Sequence, residues 1–203
     1  MTRVVVLSRS GQWGLVAAVG MWAIAVGIGP ATLAMDLSPT FPPTKMVMVE
    51  LCAIVAATLL AIVTRPQFWE WDRVARGARA RVLAGVVAAC VIGSAAVCAL
   101  VMVPRLPANT TWGWVFANAF VVSAFVVLLA PFVSALFAGG LTLVLWFGCA
   151  VTANLAPALW LPIAYYRGHE PSWGVAFGLV VVAVGVHFWT CGMTAWAHRQ
   201  FER

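Results

Sequence analysis

The chain has 203 residues, 64% of them hydrophobic and 9% charged, and a net charge of +6 at pH 7. Its mean hydropathy of +0.99 excludes an ordinary soluble domain, where about half the residues are apolar and about a quarter charged. The basic excess follows from membrane orientation, so a nucleic-acid partner is not expected.

Six apolar stretches, approximately 13–34, 46–64, 82–103, 112–133, 141–163 and 173–196, suit a hydrocarbon core of roughly 30 Å at about 1.5 Å per residue. They predict an all-α, polytopic integral membrane protein with six transmembrane helices, residues 1–203 forming one transmembrane domain. The first span follows Arg3 and Arg9 and ends in Ala31-Thr32-Leu33-Ala34, the outline of a cleaved signal peptide. Its apolar core exceeds the usual length of about 7–15 residues, so it is expected to remain as a helix. Small residues four apart, Gly14 with Ala18, Ala23 with Gly27 and Ala25 with Gly29, suit close helix contacts. Pro30 is expected to kink or end this span, with Asp36 to Thr44 as an outer loop.

The second span carries Glu50, the single acidic residue well within a span, about five residues from its outer end. An ionised carboxylate costs roughly 2.5–3.5 kcal/mol at the bilayer centre and less near the interface, so it usually faces a helix bundle or a wet cavity. The next segment, RPQFWEWDRVARGARAR from Arg65 to Arg81, is the longest polar stretch. Pro66 suits a first helical turn; Glu70 and Asp72 lie near that end, and Arg76, Arg79 and Arg81 near the other. Phe68, Trp71, Ala75 and Ala78 recur at helical steps, predicting an amphipathic helix over approximately 66–81. Such a helix either rests on anionic headgroups or docks a soluble partner through an aromatic plug ringed by charge.

Pro131 and Gly139-Gly140 interrupt the long apolar run of spans four and five, predicting a tight turn there. Asn118 and Asn154 fall in the outer half of these spans, at roughly 9–13 Å depth by helical rise. With Glu50 they are candidates to line an outward-opening substrate path. The plainer reading has Glu50 protonated or reaching to Lys45, and the asparagines tying helices together. In the sixth span His187, Thr190, Cys191, Thr194 and His198 form a polar stripe suited to interhelical hydrogen bonds. Gly174, Gly178, Gly185 and Gly192 form a small-residue seam expected to pack against another helix. His187 and Cys191 share a face, but two ligands make a poor metal site, so none is expected.

The five cysteines, Cys52, Cys90, Cys98, Cys149 and Cys191, all fall in spans without paired spacing and read as buried thiols. With six crossings, Arg3, Arg9, Arg65, Arg73, Arg76, Arg79, Arg81, Arg199 and Arg203 share one side, against Lys45, Arg105 and Arg167 on the other. This bias predicts cytoplasmic termini in a multi-pass membrane protein. Trp13, Trp69, Trp71 and Trp196 then mark the inner headgroup level, and Trp112, Trp114, Trp160, Trp173, Tyr165 and Tyr166 the outer one. No P-loop, H-E-x-x-H or close carboxylate pair occurs, so no catalytic residues are assigned and the chain is not expected to be an enzyme.

Six helices, a short N-terminal lead and one compact helix between spans two and three resemble the membrane subunit of a small bacterial ABC exporter. The run Trp69-Glu70-Trp71-Asp72-Arg73, followed by Gly77, is similar to the acidic-then-basic segment that couples such subunits to their ATPase. Asn118 through Gly140 likewise resembles the Asn-bearing fourth span and Ala/Gly-rich turn of small actinobacterial permease-like proteins. The resemblance implies a permease pairing with a second copy or a homologous permease. A cytoplasmic ATPase subunit, carrying ATP and Mg, would dock on Phe68, Trp69, Glu70, Trp71, Asp72, Arg73 and Arg76. The chain itself would carry no cofactor. Two alternatives stay open: the substrate-capture S component of an energy-coupling-factor importer, and a non-transporting accessory subunit of a larger membrane complex.

Overall fold

The computed structural model of the chain describes residues 11–28, 31–35, 44–66, 78–105, 112–156, 159, 161–163 and 173–194. Six helices dominate: α1 (Gly11–Ile28), α2 (Met48–Val63), α3 (Ala78–Met102), α4 (Trp112–Leu129), α5 (Ala135–Leu155) and α6 (Trp173–Thr190). Helices α3 to α6 are long and apolar enough to cross a membrane, whereas the apolar stretches of α1 and α2, Gln12–Ile28 and Met48–Val63, are shorter. The predicted coupling helix, with Phe68, Trp69, Glu70, Trp71, Asp72, Arg73 and Arg76, lies mostly outside the described residues, as does His198.

The fold is all-helical in class, as expected, with one short addition. Between α1 and α2 the chain forms an antiparallel hairpin, β1 (Thr32–Met35) and β2 (Thr44–Val47), with Thr32 opposite Val47 and Met35 opposite Thr44. The first helix stops at Ile28 rather than running to Ala34. Pro30 has no N–H to offer the carbonyl of Val26, four residues back, so the helix cannot pass through it. That carbonyl is met instead by Arg105, whose Nη1 donates to it at 3.0 Å.

The same chemistry moves the turn between the fourth and fifth helices. The sequence points to Pro131 and Gly139-Gly140; the turn occupies residues 130–134, around Pro131, and both glycines lie inside α5. Pro131 ends α4, and Ser134 caps α5 by accepting from the Phe137 backbone N–H at 3.2 Å. Pro131 leaves the Val127 carbonyl without its i+4 donor, and His187 Nε2 of α6 supplies one at 2.8 Å. Since a carbonyl only accepts, the proton sits on Nε2 of that imidazole.

Helices α2, α3 and α4 touch pairwise and form the central triangle. Each outer helix lies along one edge: α1 against α2 and α3, α5 against α2 and α4, and α6 against α3 and α4. Alanines fill much of the triangle, among them Ala53, Ala57, Ala88, Ala95, Ala99, Ala119 and Ala124, all buried. Small side chains let the helix backbones approach closely, which is how apolar helices gain contact without a hydrophobic driving force. Gly14 and Ala18 of α1 face this core, with Gly14 against Thr64, whereas Gly27 faces open space.

Large apolar residues cover the outside. Val181 and Trp189 of α6 are 70% and 79% exposed, and Leu15, Leu136, Phe137 and Val144 are similarly uncovered. Lipid is the solvent that suits such a surface. The glycine seam belongs to it: a side chain added at Gly174, Gly178 or Gly185 would meet nothing within 4 Å. These three glycines pack against no described helix, contrary to expectation, because α6 turns its Ala176 and Ala183 inward instead. Gly192 lies beyond the end of α6 with φ 89°, a left-handed conformation that glycine adopts without strain. The close approach made by a glycine is elsewhere. A Cβ at Gly139 would collide with Thr58 Oγ1 and lie 2.9 Å from its Cγ2, so this residue sets how near α5 comes to α2.

Candidate functional site

Glu50 is the third residue of α2, in the first turn, where the helix dipole favours a negative charge. Its side chain is fully buried between α2, α4 and α5. Asn118, in the second turn of α4, donates through Nδ2 to Oε1 at 2.7 Å. Trp146, near the middle of α5, donates through Nε1 to Oε2 at 2.6 Å. Each carboxylate oxygen thus receives an N–H from a different helix, at distances typical of charge-assisted hydrogen bonds. Indole is only a donor, and the Asn118 amide turns its NH₂ toward Oε1, so both carboxyl oxygens of Glu50 act as acceptors. The cluster ties three helices together through one side chain.

Two of the three sequence-derived pathway residues are therefore joined directly. Asn154, the third, lies eight residues beyond Trp146 on α5, roughly 12 Å along the axis, and is 1% exposed. Trp146 escaped the sequence reading. Its signal was position: a tryptophan far from either interface must find a partner for its N–H. Trp22, mid-way along α1, behaves alike and donates to the Ser94 carbonyl of α3 at 2.8 Å.

The hairpin closes this end of the bundle. Strand β2 runs straight into α2, Met46 and Val47 are buried, and the Met48 backbone N–H donates to the Ala31 carbonyl at 3.0 Å. Both strands also touch α5. With Glu50 and Asn118 at 0% and 3% exposure, the carboxylate cluster is a sealed lock in this conformation, not an open pocket.

An open space does exist at the opposite end, and none of these residues lines it. A cavity of about 420 Å³ lies among the ends of α2, α4 and α6 and the flank of α3, with Arg65, Val91, Val127, Phe137, His187 and Met193 in its wall. Arg65 Nη2 reaches Met193 Sδ at 3.6 Å, and burial pushes the guanidinium below its ordinary pKa. The polar stripe of α6 ends here. His187 makes the interhelical bond to Val127, but Thr190 Oγ1 turns back to its own Val186 carbonyl. Cys191, at φ 55°, has already left the helix. The thiols of Cys52, Cys98 and Cys149 are buried and Cys90 is exposed. Among the described residues no three His, Cys, Asp or Glu side chains gather into a metal-binding group.

Comparison with protein-family models, with curated proteins and with solved structures returned no match.

Proposed function

We propose that this chain is the membrane-spanning permease subunit of an ABC-type exporter, with six crossings, both termini in the cytoplasm, and a separate ATPase subunit that holds ATP and Mg. The observation that carries the reading is where the Arg65–Arg81 connection attaches. It leaves α2 and enters α3, two of the three central helices, so a protein docked on it pushes directly on the core of the bundle. Exposed Arg79 and Arg81 at the start of α3 extend the positive charge at that end. Arg65 and Pro66, where that connection begins, line the cavity. A substrate-capture module would instead present an outer pocket, and the outer polar residues Glu50, Asn118 and Asn154 are all buried.

In this reading Phe68 and Trp71 anchor the ATPase, while Glu70, Asp72, Arg73 and Arg76 set its register. A second copy, or a homologous permease, completes the translocation unit. The test is purification of the full chain from its native membranes with its partners. A P-loop ATPase should co-purify, with hydrolysis stimulated by this chain. Trp71→Ala with Arg73→Glu should abolish both while membrane insertion persists. Unchanged recovery and stimulation would reduce the segment to a lipid-facing helix. Topology has its own check: labelling of Gln67→Cys from outside intact cells, in a cysteine-free background, would overturn the orientation.

A further inference from the structure

The cavity of about 420 Å³ falls in the range usual for small-molecule sites, about 300–1,000 Å³. It starts where the close contact between α2 and α5 ends. Thr58 and Gly139 press together, and about a turn further toward the Arg65 end α2 puts Ala61 and Ile62 into the wall. Across from them α5 contributes Leu136 and Phe137. Ile62, Leu136 and Phe137 are also exposed on the outside of the bundle. Residues of the lipid-facing surface thus form the rim, between α2 and α5. The inner wall is made by Val91 of α3 and Val127 of α4, both buried.

The described polar side chains of the wall are already spent. Thr64 Oγ1 donates to the Leu60 carbonyl at 2.6 Å, Ser134 Oγ caps Phe137, and His187 Nε2 serves Val127. Arg65, the one charged side chain among the described lining residues, is engaged as well, with Met193 Sδ at 3.6 Å among its contacts. A polar or charged group brought here would give up water without gaining a partner from these side chains. A hydrocarbon gives up nothing. It also restores the van der Waals contacts that an unfilled space denies its lining.

We propose that this cavity binds one uncharged, chain-like hydrophobic molecule dissolved in the adjoining leaflet, which enters past Ile62, Leu136 and Phe137 and lies against Val91 and Val127. A phospholipid suits it less, because the phosphate would arrive with no uncommitted donor among the described lining side chains. The inference names the substrate class of the proposed exporter and to that extent rests on that reading.

Photolabelling of the purified full chain in lipid nanodiscs tests it, with a diazirine derivative of hexadecane as the probe. Labelling of Val91 and Val127 should saturate and be displaced by excess hexadecane. Labelling of Val144 and Val181, on the outer surface, should rise in proportion to dose. Val87→Phe and Ala61→Phe, which fill the cavity from α3 and α2, should each abolish the saturable fraction, and Val181→Phe should preserve it. The hexadecanoic acid analogue should label Val91 and Val127 less than the hydrocarbon does. Labelling of these two residues that neither saturates nor is displaced, on the unmodified chain, would overturn the proposal whatever the variants do. So would saturable labelling that survives both filled variants, or preference for the acid, which would mean an anion site. Binding is read on this chain alone and ATPase recovery separately, so each reading can fail without the other.

Discussion

The two ends of this bundle use polar residues in opposite ways. At the hairpin end, Glu50 offers two acceptor oxygens, and N–H donors reach them from two other helices, Asn118 on α4 and Trp146 on α5. Every bond in that set crosses between helices, so the cluster draws α2, α4 and α5 together and leaves no space. At the Arg65 end, Thr64, Ser134 and Thr190 satisfy themselves within their own helices or caps. Helix ends set by Pro66 and Pro131 are staggered there against α3, which begins nine residues before Val87, about 14 Å along its axis. His187 to Val127, Arg65 to Met193 and the Thr194 N–H to the Pro131 carbonyl reach across, and a cavity remains between them. Polar residues close a membrane core only when they pair between helices; spent locally, they leave the packing to shape alone.

The contrast can be broken most forcefully at Trp146. Trp146→Leu removes a large buried ring and one donor to a buried carboxylate, and should cost about 3–5 kcal/mol of unfolding free energy in mixed micelles. In a Glu50→Leu background the same change should cost markedly less, because no buried acceptor is then left without its donor. A loss under about 1 kcal/mol for the single variant would show that the lock does not hold the helices together.

Next in size is Gly139, which sets the α2–α5 approach on which the lock depends. Gly139→Ala should cost about 1–3 kcal/mol, as an overpacked contact does, and Thr58→Ala should recover part of it by removing the colliding Oγ1 and Cγ2. Lack of any rescue would place the strain elsewhere.

At the cavity end His187 of α6 bonds the Val127 carbonyl of α4. His187→Leu should cost about 1–3 kcal/mol by leaving the buried carbonyl without a donor. Pro131→Ala restores a backbone N–H four residues on, so His187→Leu with Pro131→Ala should be more stable than His187→Leu alone. Thermal unfolding of the four proteins measures this. The smallest effect belongs to Arg105→Gln, an exposed side chain serving Val26, expected within about 0.5 kcal/mol.

Part of the site was legible because depth along a span is simple arithmetic. Glu50 and Asn118 were placed at similar depth by residue counting, and the structure joins them. Trp146 was not, since its partner depends on which face of α5 turns to α2, and α5 shows no polar stripe to reveal that face. The glycine seam of α6 misled for the same reason. Gly174, Gly178 and Gly185 share a face, but periodicity cannot say whether lipid or protein lies opposite. Gly139 misled in the other direction, read as a turn when it is a point of contact within a helix. The coupling residues Phe68 to Arg76 lie outside the described part, so the proposed docking rests on their pattern and on where their segment attaches.

What the chain determined by itself was set by its solvent and its prolines. Long uncharged stretches in a chain 64% hydrophobic require helices, because backbone groups in hydrocarbon must be satisfied within their own segment. Pro30 and Pro131 mark ends of two of those helices, for want of an N–H. Only the tertiary structure decided which faces meet. In lipid, an apolar residue is equally at ease inside or outside the bundle, so hydrophobicity carries no inward direction. That direction came instead from shape at Gly139 and Thr58, and from hydrogen bonds that only distant helices could complete: Glu50 with Asn118 and Trp146, Val26 with Arg105, and Val127 with His187.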